Sequence, residues 1–186
     1  QQNAGLLPAG SYSIDEHAQG QYFYSAISRC ARENNRDAVE WLLNKGAQIN
    51  YAAYGAGLGG HQAYAEELLE RGAGIRLVAE GASLGGHQAY AEELLGRGAS
   101  IYIALVARGA SQGGHQAYAE ALLGRGADIN RVAHGASLGG HQAYAEELLG
   151  RGADIHRVAW GASLGGHQAY AEALLGRGAN ITEVAF

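Results

Sequence analysis

Several things are scarce in this 186-residue chain, and each scarcity removes a class of protein. There is one cysteine, Cys30, so no intrachain disulfide can form, which fits a reducing compartment. There is one threonine, and β-branched runs are few, which argues against a β-solenoid. Basic residues number 13 against 18 acidic ones, a net charge of −5, so general binding to nucleic acid by phosphate neutralisation is not expected. No apolar run approaches the ~20 residues needed to span a bilayer. The opening QQNAGLLPAG has neither a basic n-region nor a long apolar core, so it does not read as a signal peptide. Methionine is absent, including at position 1, which fits a processed or trimmed chain.

What is abundant is repetition. The phrase GGHQAYAE stands at Gly59, Gly85, Gly113, Gly139 and Gly165, with starts 26, 28, 26 and 26 residues apart. A period of this size implies a solenoid, in which each unit packs on its neighbours. The 30 glycines recur at fixed places in each unit and therefore read as turns rather than disorder.

One unit shows the local logic. From His141 to Arg151, Ala145, Leu148 and Leu149 fall at helical spacing and form an apolar stripe. Gly139-Gly140 breaks the segment before it, and Gly152 sits where a helix-ending glycine is wanted. Glu147 and Arg151 form an i, i+4 pair in the favoured order, repeated by Glu67 with Arg71 and Glu93 with Arg97. Ala121 and Ala173 lack the acid, so that pair is dispensable. Val132 to Leu138 is a weaker helix because Gly135 costs about 1 kcal/mol relative to alanine. Its small residues Ala133, Gly135 and Ala136 would let a neighbouring helix come close. The unit is therefore a short inner helix, a Gly-Gly turn and an outer helix.

These residues resemble a known family. Gly114-His115, Leu122-Leu123 and Gly126-Ala127-Asp128-Ile129-Asn130 look like an ankyrin repeat, and Cys30 to Asn50 is a more diverged copy. The resemblance implies an all-α, ankyrin-like helical solenoid of about six units over residues 21–186, preceded by an N-terminal arm or cap at 1–20. It also implies a protein–protein interaction role. Ankyrin units run to about 33 residues, and these are about seven shorter. The missing piece falls between Asn130 and Arg131, where the family carries its β-hairpin finger. The family's TPLH tetrapeptide would fall on Arg131-Val132-Ala133-His134, where only the histidine matches.

Comparison of the copies exposes what varies. Gly81–Ile101 and Gly135–Ile155 differ at one position in 21. The connectors, in contrast, change freely. One place holds Tyr54, Glu80, Arg108, His134, Trp160 and Phe186 in turn, and three residues earlier stand Tyr51, Leu77, Leu105, Arg131, Arg157 and Glu183. A buried position accepts Glu, Arg and Trp in turn only at large cost, so this place is expected to be mostly exposed. Stacked helices about 10 Å apart would then display a ladder of Tyr, Trp and Arg, the types enriched in binding hot spots. The competing account is drift on a solvated edge. The two extra residues within Tyr102 to Ala107 read as a bulge between units.

Other motifs carry less. His61, His87, His115, His141 and His167 occur one per unit, about 10 Å apart, so they cannot share a metal ion whose ligands lie ~2 Å from it. Packing or hydrogen bonding at the turn is the simpler role. The tyrosines Tyr64 to Tyr170 sit on the helix stripe and read as core. The glycine turns lack a following Lys-Ser/Thr, and no Ser/His/Asp or Cys/His set appears, so neither a nucleotide loop nor an enzyme is implied. Adjacent Glu-Glu pairs point to different faces and make poor acid–base couples. Cys30 lies in an apolar stretch. No cofactor or metal is expected.

At the ends, Ser13-Ile14-Asp15-Glu16 resembles a capping box, and Gln1 to Gly10 reads as an extended arm. Ile181, Val184 and Phe186 would close onto Leu174 and Leu175 without a full polar cap. That end is expected to be trimmed from a longer protein or covered by another chain, possible self-association included. The expected role is a module that binds a protein partner, with no nucleic acid or membrane, through Tyr51, Tyr54, Leu77, Glu80, Leu105, Arg108, Arg131, His134, Arg157 and Trp160. The alternative is a structural or self-assembling spacer. The expected compartment is the cytoplasm, or a host cytoplasm for a secreted effector.

Overall fold

The computed structural model describes residues 26–180. Each Gly-Gly pair, and each Gly-Ala pair that follows an outer helix, such as Gly126-Ala127, marks a break, and between the breaks lie helices of nine or ten residues. Helix α1 runs through residues 26–32 and α2 spans Arg36–Asn44. Then come α3 (Ile49–Leu58), α4 (Gln62–Glu70), α5 (Ile75–Leu84), α6 (Gln88–Gly96), α7 (Ile103–Gln112), α8 (Gln116–Gly124), α9 (Ile129–Leu138), α10 (Gln142–Gly150), α11 (Ile155–Leu164) and α12 (Gln168–Gly176). They pair into six units, the number the repeats imply. No strand occurs among the described residues, and four residues, 151–154, suffice to join α10 to α11, so the finger is indeed absent. This is an all-α, ankyrin-like solenoid. The arm or cap at 1–20, the capping box, and the residues Ile181, Val184 and Phe186 lie outside the described residues.

The odd-numbered helices form an inner row and the even-numbered ones an outer row. Each inner helix packs along the next, α3 on α5, α5 on α7, α7 on α9 and α9 on α11. The approach is close because of the small residues. A Cβ built on Gly135 would come within 2.4 Å of the Arg108 carbonyl of the preceding inner helix. Glycine's helix penalty is thus offset by contact between helix backbones. Inner helices begin earlier than the apolar pattern suggests, at Ile129 rather than Val132. At α9 and α11 an aspartate caps this start, the Asp128 carboxylate accepting a hydrogen bond from the Asn130 N–H at 2.9 Å, whereas α3 and α5 start at the same place without a side-chain cap.

Between the rows lies one continuous apolar core. Val78, Val106, Val132 and Val158 from the inner helices, and Leu68, Leu94, Leu122, Leu148 and Leu174 from the outer ones, are fully buried. The four units from α5 to α12 thus contribute the same two anchors, while α3 carries the buried Ala52 in place of the valine. Burying a valine or leucine side chain stabilises by about 1.5–3 kcal/mol. The tyrosines Tyr64, Tyr90, Tyr118, Tyr144 and Tyr170 are buried on the same stripe, as their spacing implies. Cys30 is half-buried against this core, and burial raises its thiol pKa, the opposite of what a nucleophile needs.

The Gly-Gly-His turns stack as well. His115 Nε2 donates to the Leu84 carbonyl at 3.2 Å, and His61, His87, His141 and His167 make the same bond to the preceding turn. The ring needs a slot. Gly86 has φ +81°, and a Cβ there would stand 2.6 Å from His115 Cε1. Glycine therefore serves twice at this position, for the backbone and for the ring laid over it. The histidines are structural, and no metal-holding cluster exists among the described residues.

The two extra residues do not bulge inside the inner helix. They are absorbed before it, as a 3-10 turn over Ala99–Tyr102 that leaves Ile101 78% exposed. Helix α7 keeps the ten-residue length of its neighbours.

Candidate protein-binding face

The variable residues occupy fixed places. Tyr51, Leu77, Leu105, Arg131 and Arg157 are the third residues of α3, α5, α7, α9 and α11, and Tyr54, Glu80, Arg108, His134 and Trp160 are the sixth. Residues three apart share a helix face, so the two rows run side by side along the inner helices.

The sixth-position row is less exposed than the mixed sequence implies. Glu80 is 8% exposed and His134 6%, while Tyr54, Arg108 and Trp160 are half-buried. The expectation of a mostly exposed place is wrong, and the reason is that successive rungs satisfy one another. Arg108 Nη2 donates to the Glu80 carboxylate one rung back. His134 packs on Trp160 with ring centroids 4.8 Å apart and planes tilted by 39°. A buried Glu is tolerable when an Arg follows it, and a buried His when a Trp follows it. Comparing the copies one position at a time could not show this, because the compensation lies between copies.

The third-position row is the accessible edge. Tyr51, Leu77, Leu105 and Arg157 are half-buried and Arg131 is exposed. Arg108, Arg131 and Arg157 all bear on His134. Its burial first, and then these three positive charges, push its pKa from 6.5 down to about 4. The imidazole is therefore neutral at pH 7. Its Nε2 and the Arg108 Nε are buried without a hydrogen-bond partner.

On the opposite side, the outer helices carry a second ladder. Glu66 accepts from the Tyr90 hydroxyl at 2.8 Å and from Arg97 at 2.7 Å, both one unit further on. Glu120 does the same with Tyr144 and Arg151, and Glu146 with Tyr170 and Arg177. Arg71 reaches Glu40, and Arg125 reaches Glu92 across the two-residue insertion. The Arg97 and Arg151 hydrogen bonds are the largest influence holding the Glu66 and Glu120 carboxyls below the usual carboxylate range. The intrahelical pairs Glu93–Arg97 and Glu147–Arg151 also form, at 3.2 and 3.4 Å. Glu67 and Arg71 do not pair; Glu67 binds Arg36 instead, at 2.9 Å. The outer row is thus largely taken up by holding units together, which leaves the inner-helix face as the variable surface.

A third contact links units at their N-terminal ends. Asn50 Oδ1 accepts from the Gly74 N–H, Asn130 Oδ1 from the Asp154 N–H, and His156 Nδ1 from the Asn180 N–H, each at 2.8 Å.

No protein-family model matches this chain, and no curated protein does. Among solved structures it is similar to the human ASB11 ankyrin repeat domain, with 23% identity and a TM-score of 0.42 over 83% of this chain and 84% of that one.

Proposed function

We propose that this protein is a protein-interaction module that holds its partner along the third and sixth positions of its inner helices. The observation that supports the reading is the contrast within each unit. The core, the turns and the outer ladder repeat nearly letter for letter, whereas the ten inner-face positions differ from rung to rung and align on one face. A scaffold kept constant beneath a surface that varies suits recognition. Tyr51, Tyr54, Arg131, Arg157 and Trp160 supply side-chain types enriched in hot spots. Glu80, Arg108 and His134 act mainly by holding that face in shape.

The test is partner capture with Tyr54→Ala, Arg131→Ala and Trp160→Ala combined. Lost capture with an unchanged helical spectrum supports the reading; undiminished capture overturns it. No catalytic role is proposed, and the cytoplasm is the compartment that the single free cysteine favours.

One observation favours the spacer reading. Around α11 and α12, Leu164 and Leu175 are 58% and 41% exposed, beside a shallow depression of ≈ 380 Å³ lined by Ser163, Gly166, Gln168, Ala171, Glu172 and Leu175. The equivalent Leu138 and Leu149 are half-buried. Mass rising with concentration in light scattering, suppressed by Leu164→Ser, would favour self-association through this end.

A further inference from the structure

The interaction face is chemically uneven along its length. Its third-position row runs Tyr51, Leu77 and Leu105, and then turns basic at Arg131 and Arg157. That turn is notable in a chain with net charge −5. Arg71, Arg97, Arg125, Arg151 and Arg177 are engaged by glutamates of the outer ladder, and Arg108 by Glu80. Arg131 and Arg157 form no ion pair among the described residues. The acids nearest to them in sequence, Asp128 and Asp154, are committed to capping α9 and α11 through backbone hydrogen bonds of 2.9 and 2.8 Å.

Behind these two guanidinium groups sits His134, buried and neutral, with Nε2 unpartnered, and beside it the unpartnered Arg108 Nε. The cluster holds three positive charges, Arg108, Arg131 and Arg157, against one negative charge, Glu80. What it lacks is a carboxylate for Arg131 and Arg157, since Glu80 is engaged by Arg108. A planar guanidinium is the side chain best matched to that group.

We propose that Arg131 and Arg157, flanked by His134 and Trp160, bind the carboxylates of an acidic segment of the partner protein, whose apolar continuation lies along Leu105 and Leu77. The proposal rests on the interaction reading and names the partner's chemistry. Successive rungs lie about 10 Å apart, so acidic residues about three positions apart in an extended segment can reach both arginines. A nucleic acid also offers anions. It suits the site less well, because the adjoining rungs are apolar and the acidic chain as a whole repels a polyanion.

The experiment is fluorescence anisotropy on the full chain with three labelled probes: a peptide of four glutamates followed by leucines, the same peptide with glutamines, and a single-stranded oligonucleotide of equal length. The glutamate peptide is expected to bind in a salt-sensitive manner, with the glutamine peptide at least tenfold weaker. Arg131→Gln and Arg157→Gln should each weaken the glutamate peptide about tenfold, the loss of one charge-assisted contact. Arg32→Gln makes the same charge change far from the cluster and should leave binding unaltered. Equal binding of both peptides, an Arg32→Gln loss as large as that of Arg131→Gln, tighter binding of the oligonucleotide, or no binding of the glutamate peptide each overturns the proposal. If Tyr54→Ala and Trp160→Ala weaken both peptides alike while the arginine variants do not, the face still binds protein and only the acidic assignment fails.

Discussion

The Tyr144 hydroxyl donates to the Glu120 carboxylate of the preceding unit at 2.7 Å, and the same carboxylate oxygen accepts from Arg151 at 2.7 Å. One acid therefore joins two units through a buried phenol and a half-exposed guanidinium. Glu120→Ala should destabilise by about 1–2 kcal/mol, mostly by stranding the phenol, since an exposed ion pair alone contributes less than about 1 kcal/mol. Glu147→Ala removes the intrahelical partner of Arg151, at 3.4 Å, and an exposed hydrogen bond from Gln116 at 3.2 Å, strands no buried group, and should cost no more than about 0.5 kcal/mol. Urea midpoints of the two variants compare them directly. Equal losses would show that the bridge between units has no special weight.

That contrast also shows what the sequence disclosed. The helix pairs, the Gly-Gly turn, the buried Leu148 and tyrosine stripe, and the structural histidines all follow from spacing within one unit. The outer ladder does not, because Glu120 and Arg151 are 31 residues apart and meet only after stacking. A signal was present nonetheless. Glu66, Glu92, Glu120, Glu146 and Glu172 stand in every copy, while the next position falls to alanine at Ala121 and Ala173. The invariant acid meets the tyrosine and arginine of the next unit at Glu66, Glu120 and Glu146. The acid that does change reaches other units only through exposed contacts, Arg36 with Glu67, Gln62 with Glu93 and Gln116 with Glu147. The burial of Glu80 and His134 was hidden for a related reason: a position was judged by its own variety, and its partner sat one rung away.

The glycine turns give a second comparison. Gly140 and Gly152 both have positive φ, +80° and +97°. A Cβ on Gly152 meets nothing within 4 Å, whereas one on Gly140 would lie 2.7 Å from the His167 ring. Gly152→Ala should cost about 1 kcal/mol of backbone strain. Gly140→Ala adds the displaced ring and its hydrogen bond to Leu138, and should cost about 2–3 kcal/mol. Thermal melts of both should separate them by several degrees; indistinguishable melting would refute the slot.

Leu148 tests the core itself. It is fully buried, with 0% solvent exposure, so Leu148→Ala should destabilise by about 2–5 kcal/mol. Leu164→Ala, at a residue 58% exposed, should stay within about 0.5 kcal/mol. Chemical denaturation followed by circular dichroism reads both.

His134 makes the stability of the face depend on pH. Its folded pKa is about 4, below the ordinary 6.5, because burial and the neighbouring Arg108, Arg157 and Arg131 disfavour the imidazolium. A base with a depressed pKa binds its proton more readily when unfolded. Its neutral form therefore supports the fold fully above pH 6.5, and that support is lost as pH falls towards 4. The size is roughly 3 kcal/mol, from 1.36 kcal/mol per pKa unit. Glu66 and Glu120, whose pKa values are lowered from 4.5, lose their contribution in a more acidic window, below that value. The two effects are thus separable. Between pH 7 and pH 5 the wild type should lose stability steadily, while His134→Gln should give a shallower slope there. Below pH 4.5 both proteins should fall together, because the outer ladder is common to them. Urea titrations at half-unit pH steps read the slopes. A wild type as flat as the variant between pH 7 and pH 5 would mean that the imidazole is protonated within the face, and that its three arginine neighbours do not govern it.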